Sequence, residues 1–440
     1  MDAATTPPGL LRKLMLHVLP LLVVGYFVNY LDRTAVSVAA LQMRADLGLS
    51  EAAFGLGAGL FFVGYAVFEV PSNILLHKVG PRRWLARIMI SWGIITIATM
   101  LARGPASFYT LRVLLGIAEA GAYPGIVLFF TRWFPARTRG RSISALEVLT
   151  ALSLAFAAVI DGALLTLDKT IGLAGWQWVF LVSGIPAVVL GVLILLFLPE
   201  HPEQARWLTT RERDWLVGTL SAEAKSRERA GVSTLRGAFT NPRVLYLALL
   251  YFTMVIGFWG ITFWLPQIVQ KQFTGISDFG AAALSAVPWI MAVVALILVS
   301  RHSDRTGERR WHIAVPCLVG ACGLVVSVFV HSPVVSLLAI GLAAAGQRSA
   351  TPVFWNLPAG LTNGIGAAGA LALINSIGNI GGFVGPYVLG AIRAATGTAS
   401  GGLLLFAGCL AVSAMLALGF RRTGDNEQEL SATVPARPTT

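Results

Sequence analysis

Gly80-Pro81-Arg82-Arg83-Trp84 and Gly307-Glu308-Arg309-Arg310-Trp311 are one phrase written twice. Each is a short basic turn between two long apolar runs, and about 227 of the 440 residues separate the copies. A turn that recurs at half the chain length marks an internal duplication, so the chain reads as two related six-span halves. Outward from these turns, apolar runs of about 18 residues or more fall at roughly 14–37, 54–76, 84–102, 106–131, 142–166, 176–198, 244–270, 279–300, 311–330, 333–357, 367–392 and 402–420. These are expected to be twelve transmembrane helices in an all-α membrane protein.

Composition agrees. The chain is 56% hydrophobic and 12% charged, about half the charge of a soluble domain, with a mean hydropathy of +0.73. The net charge of +12 invites a nucleic-acid reading, but its placement favours a membrane. With both termini cytoplasmic, the inner segments hold 25 of the 33 Lys and Arg, while the outer loops hold only Arg44, Arg103, Lys169, Lys271 and Arg393. No nucleic-acid partner is expected. The start, Met1 to Gly9, lacks an early positive region, so the first span is expected to stay as an anchor. Cys317, Cys322 and Cys409 lie within apolar runs and read as packing residues, not as a disulfide framework or metal site.

The expected organisation is a first six-helix bundle at 1–198, a cytoplasmic linker at 199–243, a second bundle at 244–422 and a disordered cytoplasmic tail at 423–440. The linker mixes acids and bases in a helix-forming composition. It is expected to form an amphipathic helix, with Trp207, Leu208, Trp215 and Leu216 reaching the membrane interface or the bundle. Glycines gather inside spans, as in Gly55-x-Gly57-x-Gly59 and Gly378-x-x-Gly381-Gly382-x-x-Gly385-Pro386, where small faces let helices approach closely.

Read in full, the two turns are Asn73-x-x-x-His77-Lys78-Val79-Gly80-Pro81-Arg82-Arg83 and Ser300-x-x-x-Asp304-Arg305-Thr306-Gly307-Glu308-Arg309-Arg310. They resemble the major facilitator superfamily's loop signature, G-x-x-x-D-R-x-G-R-R; the second copy keeps its Asp, whereas the first has His77 there. Finer resemblance comes from Asn29-Tyr30-Leu31-Asp32-Arg33, Gly64-Tyr65-x-x-Phe68-Glu69-Val70-Pro71-Ser72-Asn73, Arg112-x-x-x-Gly116-x-x-Glu119, Phe263-Trp264-Leu265-Pro266-Gln267 and Ile374-Asn375-Ser376-x-Gly378-Asn379. Over nearly its whole length the chain resembles the anion:cation symporter family, most closely the bacterial tartrate, phthalate and hydroxyphenylacetate permeases. It departs from that pattern at Ala157 to Gly162, where relatives carry a Gly/Pro-rich stretch, and at Gln347-Arg348, where apolar or aromatic residues are usual.

The resemblance implies a twelve-helix fold of two pseudo-symmetric bundles around a midplane site. It further implies proton-driven uptake of a small organic carboxylate by alternating access, in a bacterial inner membrane. Lys78, Gly80, Arg82 and Arg83 in the first turn, with Asp304, Arg305, Gly307 and Arg309 in the second, are the expected gating residues. Helix dipoles and ion pairs between the halves can hold one conformation closed there.

An ionisable side chain in the hydrocarbon region costs roughly 2.5–3.5 kcal/mol on permissive scales, so it is paired, faces water or does chemistry. Arg112 and Glu119 are seven residues apart and share a helix face. An Arg grips a carboxylate at two points, while a Glu facing an apolar cavity can exchange protons. Asp32 and Arg33 are adjacent and point about 100° apart, so each needs another partner. By resemblance, Asp32 and Glu119 are proton-coupling residues and Arg33 and Arg112 bind the anion. Tyr30 and Tyr65 stand where relatives place cavity hydroxyls, and Asn375 and Asn379 offer amide donors from the second half. Arg348, mid-span, is expected to face the cavity and select diacids. Glu69 precedes Pro71 and is expected to support a kink; Glu147 and Asp161 have no assigned role.

No Walker loop, nucleotide fingerprint, catalytic triad or metal-spaced histidine pair is present, so no cofactor is expected and the proton gradient supplies the energy. The competing readings are an organic-anion exporter or exchanger of the same fold and a non-transporting membrane sensor; an enzyme is disfavoured. A monomer in the lipid bilayer is expected.

Overall fold

The computed structural model describes residues 7–229, 240–358 and 365–420, without the side chains of 136, 137, 139–148, 224–229 and 365–368. The tail at 423–440 and the side chain of Glu147 lie outside the described residues. The helices run α1 Leu10–His17, α2 Leu19–Asp46, α3 Glu51–Val79, α4 Pro81–Thr99, α5 Pro105–Glu119, α6 Ala122–Trp133, α7 Ala136–Leu165 and α8 Gly175–Phe197. A linker helix α9, Thr210–Arg229, follows. The second half holds α10 Pro242–Gln272, α11 Asp278–Leu284, α12 Ala286–Thr306, α13 Trp311–Phe329, α14 Pro333–Phe354, α15 Ile365–Thr396 and α16 Ser400–Gly419. Among the described residues there is no strand.

Local chemistry sets the helix starts. Proline stands at the first turn of α2, α4, α5, α10 and α14, where its missing N–H leaves no helical bond unmade. Ser50, Asn241 and Ser277 cap α3, α10 and α11 by accepting from Ala53, Arg243 and Gly280 at 3.1, 2.9 and 3.1 Å.

Three breaks were not legible as apolar runs. The α1/α2 pair bends by 40°, α5 hands over to α6 at Ala120-Gly121, and α11 to α12 at Ser285. Gly121 lies at φ 88°, open to glycine, and a Cβ there would stand 2.4 Å from Ser72 Oγ. That hydroxyl donates to the freed Ala120 carbonyl at 2.5 Å.

Nine segments are long and apolar enough to cross a membrane, ten with the bent pair, among the described residues. The other two long helices fit the twelve-span reading: α4 opens on Arg82, Arg83 and Arg87, and the apolar part of α7 counts only from Leu149 to Leu165. Val67, Phe197, Leu298 and Phe329 are each more than 60% exposed. An apolar surface of this kind calls for lipid.

The halves meet most closely at one end, where α3 lies on α15 and α7 on α11 and α12. A Cβ on Gly55 would stand 2.5 Å from the Pro386 carbonyl, and one on Gly162 would stand 2.6 Å from Ala282 Cβ. At this closed end Arg44 of α2 pairs with Glu51 at 3.0 Å and donates to Gln267 at 2.9 Å, while Arg393 of α15 reaches Glu51 at 3.2 Å. Gln42 donates to Asp278 at 2.9 Å. The two basic turns lie at the opposite end.

The linker helix docks on the first half. Thr209 and Glu212 form a reciprocal cap, the Thr209 N–H donating at 2.9 Å, and Lys13 of α1 donates to Glu212 at 2.8 Å. Trp207 stacks between His17 and Trp133, and Leu208 and Leu216 are buried.

Candidate functional site

Between the halves lies a cavity of about 90 Å³. The first half contributes Tyr30, Arg33 and Tyr65, and the second contributes Trp259, Arg348, Asn375 and Asn379. Of the candidate binding residues from the sequence, only Arg112 is not on this wall; the proton-coupling candidates Asp32 and Glu119 also lie behind it.

Arg33 is the hinge between wall and interior. Its guanidinium sits among the rings of Tyr30, Phe61, Tyr65 and Trp259, 5.3, 5.0, 5.6 and 5.5 Å from their centres. Aromatic faces attract a cation without neutralising it, which keeps Arg33 available to an anion. Behind it, fully buried Glu119 accepts from Arg33 and, at 2.6 Å, from Asn29 Nδ2. The second Glu119 oxygen and Arg33 Nε have no partner among the described residues. The break after Glu119 places this carboxylate at the end of α5, beside α2.

Asp32 turns the other way, taking the Trp92 indole N–H at 2.7 Å on one oxygen. Arg112 is 2% exposed, lies over Phe61 and Phe263, and donates to the Ala58 carbonyl at 3.4 Å. Arg112 therefore lies behind the cavity wall, about two turns along α5 from Glu119.

On the second half, Arg348 lines the cavity with its guanidinium 5.3 Å from the Phe258 ring centre. Neighbouring Gln347 donates to Thr351 at 3.2 Å. Asn375 donates to Glu69 of α3 at 2.7 Å and Ser376 donates to the same carboxylate at 3.3 Å, a link between the halves. The sequence offered only a kink for Glu69; no local pattern signals a partner 306 residues away.

The basic turns hold their own halves together. In the first, Gly80 has φ 93°, and Glu200 lies over it, accepting from the Arg82 N–H at 3.2 Å and from Arg132 at 2.8 Å. Glu200 thus supplies a carboxylate to the turn that carries His77 in place of Asp. The Arg82 guanidinium donates to the Leu195 carbonyl, and Lys78 and Arg83 are exposed. In the second, Gly307 has φ 70°, Arg309 pairs with Asp304 at 2.8 Å, Arg310 donates to the Leu418 carbonyl, and Arg305 is exposed. The ion pair that crosses between the halves, Arg393–Glu51, lies at the other end.

Comparison with known proteins places the chain. The family model of the Major Facilitator Superfamily matches residues 22–386. A protein of Agrobacterium vitis named "Putative tartrate transporter" is 46% identical over 95% of this chain and 93% of its own. A "Quinolone resistance transporter" of Acinetobacter baumannii is 41% identical over 89% and 90%. The inward-open structure of the xylose transporter XylE from E. coli has the same fold, with a TM-score of 0.73 at 16% identity over 96% of this chain and 99% of that one. The chain belongs to the major facilitator superfamily and is a multi-pass membrane transporter, not an enzyme.

Proposed function

We propose that this protein takes up a small organic carboxylate together with protons, by alternating access of two bundles, 1–198 and 244–422, about the central cavity. The observation that carries the reading is the Arg33–Glu119 pair: the guanidinium that faces the cavity is held from behind by a carboxylate. A substrate carboxylate and Glu119 compete for the same cation. When Glu119 takes a proton its hold on Arg33 weakens and the planar donor fork is free to grip the anion, so proton and anion binding favour each other. Breaking a buried ion pair costs roughly 3–5 kcal/mol when one charge is left alone. The incoming anion replaces the lost partner and offsets that cost.

Arg348 supports a two-carboxylate substrate, because it brings a second guanidinium to the cavity from the other half. The tartrate named for the Agrobacterium vitis relative is such a diacid. The excess of Lys and Arg in the segments between span pairs supports cytoplasmic termini in a bacterial inner membrane, with the closed end outside. A second reading, export or exchange, is favoured by the relative named for quinolone resistance.

The test is uptake of tartrate and a panel of aromatic, sugar and hydroxy acids into proteoliposomes, with and without an imposed inward proton gradient. Concentrative uptake that requires the gradient is expected. Exchange indifferent to the gradient supports the second reading and removes proton coupling.

A further inference from the structure

Asp161 of α7 is 0% exposed, and neither carboxyl oxygen meets a hydrogen-bond donor or cation among the described residues. A bare carboxylate in such a place is far costlier than a neutral acid, so the group holds a proton. Its height in the bundle follows from neighbouring contacts. Gln42 of α2 donates to the Leu165 carbonyl of α7 at 3.3 Å, and both helices run toward the closed end. Four residues back along each, Asp161 is level with Val38, and Asp32 is about 9 Å further from the closed end.

Two hydroxyls stand between these acids. Thr96 of α4 lies beside the Asp32 carboxyl. Trp176, at the start of α8, donates to Asp46 at the end of α2 at 2.7 Å. Gly175, also at the start of α8, packs on the Leu165 carbonyl and Gln42, so Ser183, eight residues along, lies about 12 Å further from the closed end than Leu165, between Asp161 and Asp32 in height. Its neighbour Gly184 packs on Gly93 and Ile97, the turn that carries Thr96. The Ser183 hydroxyl is fully buried and has no partner among the described residues. Four polar groups, on α2, α4, α7 and α8, thus lie within a few helical turns of one another in height inside an apolar bundle.

We infer that Asp161 is a proton relay between the closed end and Asp32, an inference that rests on the proton-coupled reading above. Asp161 passes its proton by way of Ser183, Thr96 and intervening water to the Asp32 carboxylate, which becomes a neutral acid. Asp161, left as a carboxylate, regains a proton from water admitted when the closed end opens. The surrounding charges leave Asp32 as its electrostatic partner: α8 carries no charged side chain, Asp278 of α11 is engaged by Gln42 and Gln270, and Asp46 of α2 by Trp176. The charges of α12, Arg301, Asp304 and Arg305, and Arg132 of α6 lie at the far end. Arg348 of α14 faces the cavity.

The test measures proton-driven tartrate uptake into proteoliposomes by the parent, Asp161→Asn, Asp161→Glu and Asp32→Asn. A relay changes rate and leaves the thermodynamic ratio alone. Asp161→Asn is expected to slow initial driven uptake about tenfold more than counterflow, and to reach the parent's final accumulation. Asp161→Glu is expected to recover at least half the rate, and Asp32→Asn to lose accumulation itself. Parental speed in Asp161→Asn, or loss of its final accumulation, overturns the relay. A parent indifferent to the proton gradient overturns instead the reading beneath it. Independently of any variant or substrate, dicyclohexylcarbodiimide, which attacks protonated carboxyls in apolar surroundings, is expected to label Asp161 in the full-length protein at neutral pH. Absence of that label overturns the inference as well.

Discussion

The Glu69 carboxylate of α3 and the Asn375 amide of α15 are joined by a 2.7 Å hydrogen bond, Asn375 donating, that ties the two halves together one turn from the cavity residue Tyr65. It lies on the side of the cavity that leads to the basic turns. This bond must part if the halves separate there.

Glu69→Ala is expected to release that end. A hydrogen bond to a charged group contributes about 1.5–3 kcal/mol, so the balance between closed and open should move at least tenfold. Spin labels at the exposed positions Ile74 and Leu371 report the separation of α3 and α15. A distance distribution identical to the parent's would show that the bond does not hold the halves.

Glu119→Gln and Asp32→Asn should each lose proton-driven accumulation more than counterflow, since exchange needs no net proton movement. The two should differ in binding. Glu119→Gln leaves Arg33 without its buried counter-charge, so tartrate affinity should change by tenfold or more, whereas Asp32 does not touch Arg33. Parental accumulation in either variant removes that residue from coupling.

Arg348→Ala should weaken a dicarboxylate more than its matched monocarboxylate, by about tenfold. Competition of each acid against labelled tartrate uptake is the measurement. Equal loss for both acids, or none, rules out a diacid-selecting role for this guanidinium.

Glu200→Gln should lower the Tm by about 2–4 °C, because Arg132 and the Arg82 N–H lose a charged acceptor at a partly exposed site. The effect should be absent in Glu203→Gln, which is exposed. An unchanged Tm would mean that water satisfies the first basic turn as well as Glu200 does.

Docking of α9 should depend on pH. The bonds from Lys13 and from the Thr209 backbone hold the Glu212 carboxyl below its ordinary value. A depressed carboxyl stabilises the docked state above the unfolded value and loses that contribution as pH falls through the folded one. Hydrogen exchange over 210–223, corrected for intrinsic rates, should therefore rise below about pH 4. In Glu212→Gln the step should vanish, and a parental pH profile there would assign the effect to another group.

Much of this molecule could be read from its linear pattern. Hydropathy runs, the duplicated turn and the alternation of Lys and Arg between loops are local or periodic properties, and they were sufficient for the fold class and the family. They also singled out Arg33, Glu119 and Arg348, because a charge inside an apolar run is conspicuous wherever the chain goes. Which charge meets which was beyond the pattern. Arg33 and Glu119 are 86 residues apart, Arg82 and Glu200 are 118, and Glu69 and Asn375 are 306. Such pairs depend on how helices rotate and cross, and the close backbone approaches at residues without a side chain, such as Gly55 and Gly116, decide that, which no spacing rule encodes. The sequence by itself determined an all-helical, multi-pass transporter with charge in its membrane interior. Only the tertiary structure decided that Arg112 stands behind the cavity wall, that Glu200 serves the turn lacking its Asp, and that Asp161 is buried with no hydrogen-bond partner among the described residues.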